Sequence, residues 1–165
     1  MTAADRRQAV LQALSDTPVS ATQLAARFGV SRQVIVGDVA LLRAGGAAIA
    51  AAPRGYVRAG GQSGVVHTVA CQHTARQMGQ ELYAIVDQGC TVLDVAVEHP
   101  VYGQISGNLH CASRYDVDAF LQMAQGAQPL SALTGGIHLH TLRCPDEAAF
   151  QRALAALDAL GFLVK

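Results

Sequence analysis

Two imidazoles stand two positions apart in the run GGIHLHT, at His138 and His140. Residues two apart on an extended strand point to the same side, so both rings share one face. A pair of imidazoles inside an otherwise apolar run suits the coordination of a divalent transition metal, and the remaining ligands must then come from elsewhere in the chain. In TARQMGQELYAIVDQ, Met78, Leu82 and Ile85 make the inward stripe of an amphipathic helix, and Glu81 lies beside that stripe. A carboxylate in that place needs a cation or several donors, because an unpaired charge taken out of water is very costly. His73 sits just ahead of the same helix and can fold back to the same point. His73, Glu81, His138 and His140 therefore form a candidate site of three nitrogens and one oxygen. Cys71 shares the strand face of His73, as a substitute ligand or as a packed thiol, and His67 and His110 are read as structural.

These side chains need a scaffold, and the second half of the chain alternates strand and helix signals to supply one. VVHTVAC reads as a strand, the Glu81 helix ends at Gly89, and CTVLDVAVEH and YGQISGNLHCA read as two strands joined at Pro100. Ser113 with Asp116 starts a helix running through Phe120 and Met123. GIHLHTLRC is a further strand, PDEAAFQRALAALDAL a helix with Pro145 in its first turn and Gly161 at its end, and FLVK a last strand. This order predicts an α+β fold over residues 65–165, one sheet with helices packed on a face.

Residues 1–60 have a different character. They hold seven arginines against three aspartates, whereas the remainder holds five basic and nine acidic groups, so the first part alone is suited to a polyanion. ADRRQAVLQALSD has helical spacing, Ser20 with Gln23 matches a capping box for ATQLAARF, and Gly29 stops that helix. Ser31 caps a third helix, RQVIVGDVALLRAG, whose Ile35, Val39 and Leu42 face inward while Arg32, Gln33, Val36, Gly37 and Ala40 face out. Short helix, turn and longer helix is the helix-turn-helix layout that places its last helix in the major groove. Gln33 is then placed to read an adenine edge, Arg32 and Arg43 to hold phosphate or guanine, and Gly37 and Ala40 to let the backbone come close. AAIAAAPRGYVRAG predicts a hairpin with Arg54 at its tip. The spacer RAGGQSG, with its glycines as a hinge, separates this 1–60 domain from the 65–165 domain.

Composition closes off other classes. Half the residues are apolar (51%), enough for buried cores, yet no uninterrupted apolar run has membrane-spanning length. MTAADRRQAV lacks the layout of a signal peptide, which predicts a cytoplasmic protein with no membrane partner. The four cysteines, Cys71, Cys90, Cys111 and Cys144, are scattered, so buried thiols are expected and a disulfide framework is not.

The N-terminal region, about residues 5–58, resembles the winged helix-turn-helix of small-ligand-sensing bacterial repressors such as the biotin repressor family. EHPVYGQI, then PLSALTGGIHLHT, with seven residues between His73 and Glu81 leading into ELYAIVDQG, resembles the three-histidine regulatory domain, over residues 65–165. Their order matches the niacin-responsive repressors of NAD biosynthesis. The resemblance implies a regulatory domain with an open-faced sheet like that of the phosphocarrier HPr, a homodimer, a divalent transition metal such as nickel or zinc on His73, Glu81, His138 and His140, and nicotinic acid as co-repressor. Ser31, Arg32, Gln33, Gly37, Arg43 and Arg54 become the candidate contacts to double-stranded operator DNA. A slot for the pyridine is expected at His99 and Tyr102 in HPVYG, with Arg114 as carboxylate partner. Two rivals remain on the sequence: a metal-responsive regulator without an organic effector, and a small metal-dependent hydrolase whose one tempting base is Glu98. The tethered winged helix favours a regulator that is not an enzyme.

Overall fold

A computed structural model of the chain describes residues 1–59 and 63–165. Its three N-terminal helices each begin on a side-chain cap. Thr2 opens α1 (Ala3–Ala13) and Ser20 opens α2 (Ala21–Phe28), through capping boxes closed by Asp5 and Gln23, and Ser31 opens α3 (Arg32–Ala44) by accepting from the Val34 N–H. Gly29 ends α2 at φ 66°, a left-handed conformation that a side chain would strain. The chain then forms the hairpin β1 (Ile49–Ala52) and β2 (Gly55–Arg58), paired antiparallel around Pro53 and Arg54. Val10, Leu24, Ile35, Val39 and Ile49 make the core of this unit, which extends over Met1–Gln62. Val36, expected on the outer side of α3, is half-buried against that core, because it flanks Ile35 on the inward edge of the helix. Arg6 is also turned inward: its Nε and Nη2 donate to Asp38 Oδ2 and Oδ1 at 2.6 and 3.2 Å, tying α1 to α3. The Gly60 and Gly61 hinge lies outside the described residues.

The second unit, Ser63–Lys165, is built on an antiparallel sheet in the order β3-β6-β4-β5. Its strands are β3 (Val65–Gln72), β4 (Thr91–His99), β5 (Gly103–Cys111) and β6 (Ile137–Cys144). The helices α4 (Met78–Val86), α5 (Arg114–Met123) and α6 (Glu147–Ala159) share one core with the sheet, in which Leu82, Ile85, Val117, Phe150 and Leu157 meet Val69, Val92, Leu109 and Leu142. Residues of opposite parity, among them Val66 and Thr68 on β3 and Gln104, Ser106 and Asn108 on β5, are exposed. The architecture is α+β, and the inward positions of β6 are buried together with Glu81 of α4.

Three local expectations need correction. Pro145 stands before α6 rather than in its first turn, because Asp146 is the cap and its carboxylate accepts from the Ala149 N–H at 2.8 Å. FLVK makes a single bridge, Leu163 to Cys71, flanked by Gln72 N–H to Phe162 O and Val164 N–H to Ala70 O at 2.8 and 2.9 Å; it clasps the edge of β3 without adding a strand. Cys90 and Cys144 are joined as a disulfide with Cα atoms 4.2 Å apart, since pairing of Thr91 with Arg143 sets the two cysteines side by side. Cys71 and Cys111 remain free buried thiols.

Candidate functional site

The buried group at the end of the sheet is assembled from three elements. Alternation along β6 sends His138 and His140 to the core side, each only 3% exposed. Helix α4 delivers Glu81, fully buried, from the stripe that also carries Leu82 and Ile85. His73 follows β3 and lies edge-on to the His138 ring, centroids 4.8 Å apart, where Gly136 lets the backbone pass. A Cβ on Gly136 would lie 2.6 Å from the His73 carbonyl oxygen, so only glycine lets the two backbones close. Gly135, in turn, takes the left-handed position at φ 64° that ends the 3-10 turn Leu130–Thr134. The two glycines ahead of the histidines are thus part of how the site closes.

All three imidazoles are anchored from behind in the same way. The Nδ1 of His73 bonds Thr74 O at 2.7 Å, that of His138 bonds Gly136 O at 2.8 Å, and that of His140 bonds Asp94 O at 2.7 Å. A carbonyl oxygen only accepts, so each Nδ1 must carry the hydrogen, and in a neutral ring each Nε2 is left as a bare lone pair. The three Nε2 atoms converge on one carboxylate. His138 Nε2 lies 3.0 Å from both Glu81 oxygens, His73 Nε2 meets Oε2 and His140 Nε2 meets Oε1.

Burial alone would raise the Glu81 carboxyl, but hydrogen bonding from His138 and His140, helped by their charge, brings it down to about 2. Burial likewise pulls the His138 imidazole down, and Glu81 overcomes this and raises it above its ordinary value. Nitrogen lone pairs and a carboxylate aimed at one point repel unless protons or a cation lie between them, and three nitrogens with one oxygen is a transition-metal donor set. His73, Glu81 and His138 form a group able to hold a metal ion, with ligand atoms within 4.8 Å of one another, and His140 Nε2 adjoins them at Glu81 Oε1. Cys71 stays out of this group: burial, with the Glu81 charge, pushes its thiol up to about 12, so it packs as a neutral side chain.

The effector slot expected at His99, Tyr102 and Arg114 does not join this cluster. His99 Nδ1 accepts from the Val101 and Tyr102 N–H groups at 3.1 and 3.2 Å, which folds the β4–β5 turn on itself and stacks the His99 and Tyr102 rings 5.0 Å apart. Tyr102 is 77% exposed. Arg114 holds Asp87 with a two-pronged bond at 2.8 and 2.6 Å and lies over the Tyr83 ring, so its fork is already occupied. His67, read as structural, stacks on Phe150 and pairs with Glu147 at 2.7 Å. Glu98 is exposed on β4.

Sequence reasoning missed Asp94. Its carbonyl orients His140 and its carboxylate accepts from the Thr141 N–H at 2.9 Å, which is possible because the β4–β6 register shifts between Val92 and Ala96 and frees that carbonyl from the ladder.

In the N-terminal unit, Arg32, Gln33, Gly37, Ala40 and Arg43 are exposed along α3, and Ser31 caps it. Arg54, at the hairpin turn, shares with Arg32 the wall of a cleft of about 520 Å³ beside the start of α2. An arginine-bearing helix face next to an arginine-bearing hairpin suits the phosphates and base edges of a duplex.

Comparison with known proteins agrees with both halves of this picture. Residues 66–165 match the 3H domain and residues 6–57 an HTH domain. The chain is 46% identical over 153 residues to the probable transcription repressor NiaR of Thermotoga maritima, covering 92% of this chain and 87% of that one. It is 40% identical over 170 residues to the transcription repressor NadR of Bacillus subtilis, covering 98% and 94%. Among the described residues no helix is long and apolar enough to cross a membrane. These relatives are named as repressors and not as hydrolases, and the chain belongs to their family of transcription repressors, which join a helix-turn-helix domain to a 3H domain.

Proposed function

We propose that this repressor acts on genes of NAD biosynthesis or niacin uptake, with nicotinic acid as co-repressor sensed in a metal-containing C-terminal domain. The reading assigns residues 1–60 to DNA binding and residues 65–165 to sensing. The observation that carries it is the convergence of three Nδ1-anchored imidazoles on the buried Glu81 carboxylate. His73, Glu81, His138 and His140 would hold a divalent transition metal, nickel or zinc, which would offer a positive charge to a small anion. The metal supplies a fixed positive charge for the effector's carboxylate; the protein supplies its placement, with Thr74, Gly136 and Asp94 fixing the rings. Ser31, Arg32, Gln33, Gly37, Arg43 and Arg54 face operator DNA. The protein works as a cytoplasmic homodimer, two recognition helices spanning about 34–36 Å of duplex.

The test is fluorescence anisotropy of a labelled promoter fragment from the protein's own genomic neighbourhood, titrated with metal-loaded protein at fixed salt, with and without nicotinic acid. Salt is held constant because phosphate contacts dominate the affinity. The reading expects tighter binding with nicotinic acid, lost on chelation and in His138→Ala. Binding that follows the metal and ignores nicotinic acid replaces the reading with that of a metal-responsive regulator.

A further inference from the structure

The outer side of α3 is apolar. Ile35, Val39 and Leu42 face the core, so the opposite side of the helix carries Gln33, Val34, Gly37, Ala40, Leu41 and Ala44, all of them exposed. Only Gln33 among these has a polar side chain, although Leu41 is 59% and Val34 37% exposed. The carboxylate of the helix, Asp38, is turned inward to Arg6, which leaves the outer side without negative charge. Arg32 and Arg43, about three turns apart, stand along one edge of the strip and are exposed. An uncharged apolar strip edged with guanidinium groups matches a major groove, where phosphates flank the base edges and thymine presents a methyl group. We propose that α3 reads its operator through thymine methyl groups, with Val34 and Leu41 as the specificity-determining contacts and Gln33 as the hydrogen-bonding reader beside them. This rests on the assignment of α3 to operator DNA and adds which chemical group on the bases it recognises.

The spacing fits base steps. Val34 and Leu41 are two helical turns apart, about 10 Å along the axis, which is about three base-pair steps of 3.4 Å. Gly37 lies between them, and a Cβ there would meet nothing within 4 Å, so the floor of the strip between the two side chains is bare backbone. Hydrogen-bonding readout has little to work with on this side. The Ser31 hydroxyl accepts from the Val34 N–H at 3.3 Å as the helix cap, which leaves Gln33 to pair with a base edge. The strip also disfavours the wrong pyrimidine. Cytosine lacks the methyl and offers an N4 amine, a donor that Val34 and Leu41 leave unpaired when they exclude water from it. Covering one thymine methyl is worth about fourfold in affinity, from the transfer of a single carbon out of water.

Full-length, metal-loaded protein, with nicotinic acid present, selects duplexes from a randomised library, and the enriched duplex is resynthesised with deoxyuridine for thymidine at one position at a time. Uracil keeps every hydrogen-bonding group of thymine and lacks only the methyl. Kd is read by fluorescence anisotropy at fixed salt. The expected result is binding about fourfold weaker at each of two positions about three base pairs apart. The loss at one position should shrink in Val34→Ala and at the other in Leu41→Ala, with the slope of log K against log salt unchanged in both. Both side chains are exposed, so these variants should melt as the wild type does, and the uracil substitutions need no variant at all. Full uracil substitution that leaves Kd unchanged, or a uracil response that persists undiminished in both variants, overturns the methyl reading and leaves α3 on the operator. A selection that enriches no sequence overturns the placement of α3 against bases itself.

Discussion

Gly37 occupies the interior of α3, on its exposed side, and a Cβ added there would meet nothing within 4 Å. Glycine inside a helix costs about 0.5–1 kcal/mol relative to alanine, because it has more backbone freedom to lose on folding. The fold gains nothing in return, since no neighbour needs the space and the backbone there has no positive φ. The reason for the glycine has to lie outside the chain, and a duplex approaching the recognition helix supplies one. Gly37→Ala should therefore stabilise the N-terminal unit by up to about 1 kcal/mol, raising Tm by roughly 4–8 °C per kcal/mol for a domain of this size. The same methyl group should hold the operator off α3 and weaken specific binding by about tenfold, or about 1.4 kcal/mol. Thermal melting and operator anisotropy on one protein preparation read both effects, and a higher Tm removes unfolding as the cause of lost affinity. A variant that is more stable and binds its operator with an unchanged Kd would refute the placement of this face against DNA.

Other expectations follow from single contacts. Asp38→Ala leaves Arg6 turned inward without its partner, so it should lower the Tm of the N-terminal unit well beyond the roughly 0.5 kcal/mol scatter of surface substitutions, and Arg6→Leu with Asp38→Leu should recover part of the loss. Arg32→Ala and Arg54→Ala should each reduce the slope of log K against log salt by about 0.9 if each neutralises one phosphate, measured by anisotropy at several salt concentrations. In metal-free protein, Glu81 is held at about 2 against 4.5 in the unfolded chain, so its contribution to stability is complete above about 4.5 and disappears as pH falls toward 2. His138 is raised above 6.5, so its contribution is complete below 6.5 and fades as pH rises through its folded value. Melting of the metal-free protein should thus be highest between the two, at about pH 4.5–6.5, with the acid limb flattened in Glu81→Gln, and added metal should raise Tm more at pH 8 than at pH 5.5, because neutral imidazoles bind it.

What could be read from the chain was whatever depends on local spacing. Ser20 with Gln23 and Ser113 with Asp116 start their helices as local capping chemistry requires. His138 and His140 share a face because a strand has a period of two. The contacts that anchor the rings had no such signal, since the acceptors on Thr74, Gly136 and Asp94 are backbone carbonyls, which every residue carries. Asp94 needed the irregular pairing of β4 with β6 to bring its carbonyl to His140, and the Cys90–Cys144 link spans 54 residues that only the folded sheet brings together. His99, Tyr102 and Arg114 are the opposite case. Each has chemistry suited to a ligand, but a turn and an aspartate nearby satisfy it first.

The anchoring of the cluster also bears on which ligand carries the signal. A ligand shifts an equilibrium between two conformations only by the difference in its affinity for them. Each imidazole is held from behind by a carbonyl, and His138 and His140 ride on a strand paired on both sides. A metal bound by this group would meet donors already in position, which would leave it little difference in affinity with which to favour one conformation. By thermodynamic reciprocity, an effector that tightens operator binding tenfold is itself held tenfold more tightly by the operator-bound repressor, a coupling of about 1.4 kcal/mol. The proposed function therefore expects chelation to abolish the response to nicotinic acid, and withdrawal of nicotinic acid to leave the metal content unchanged.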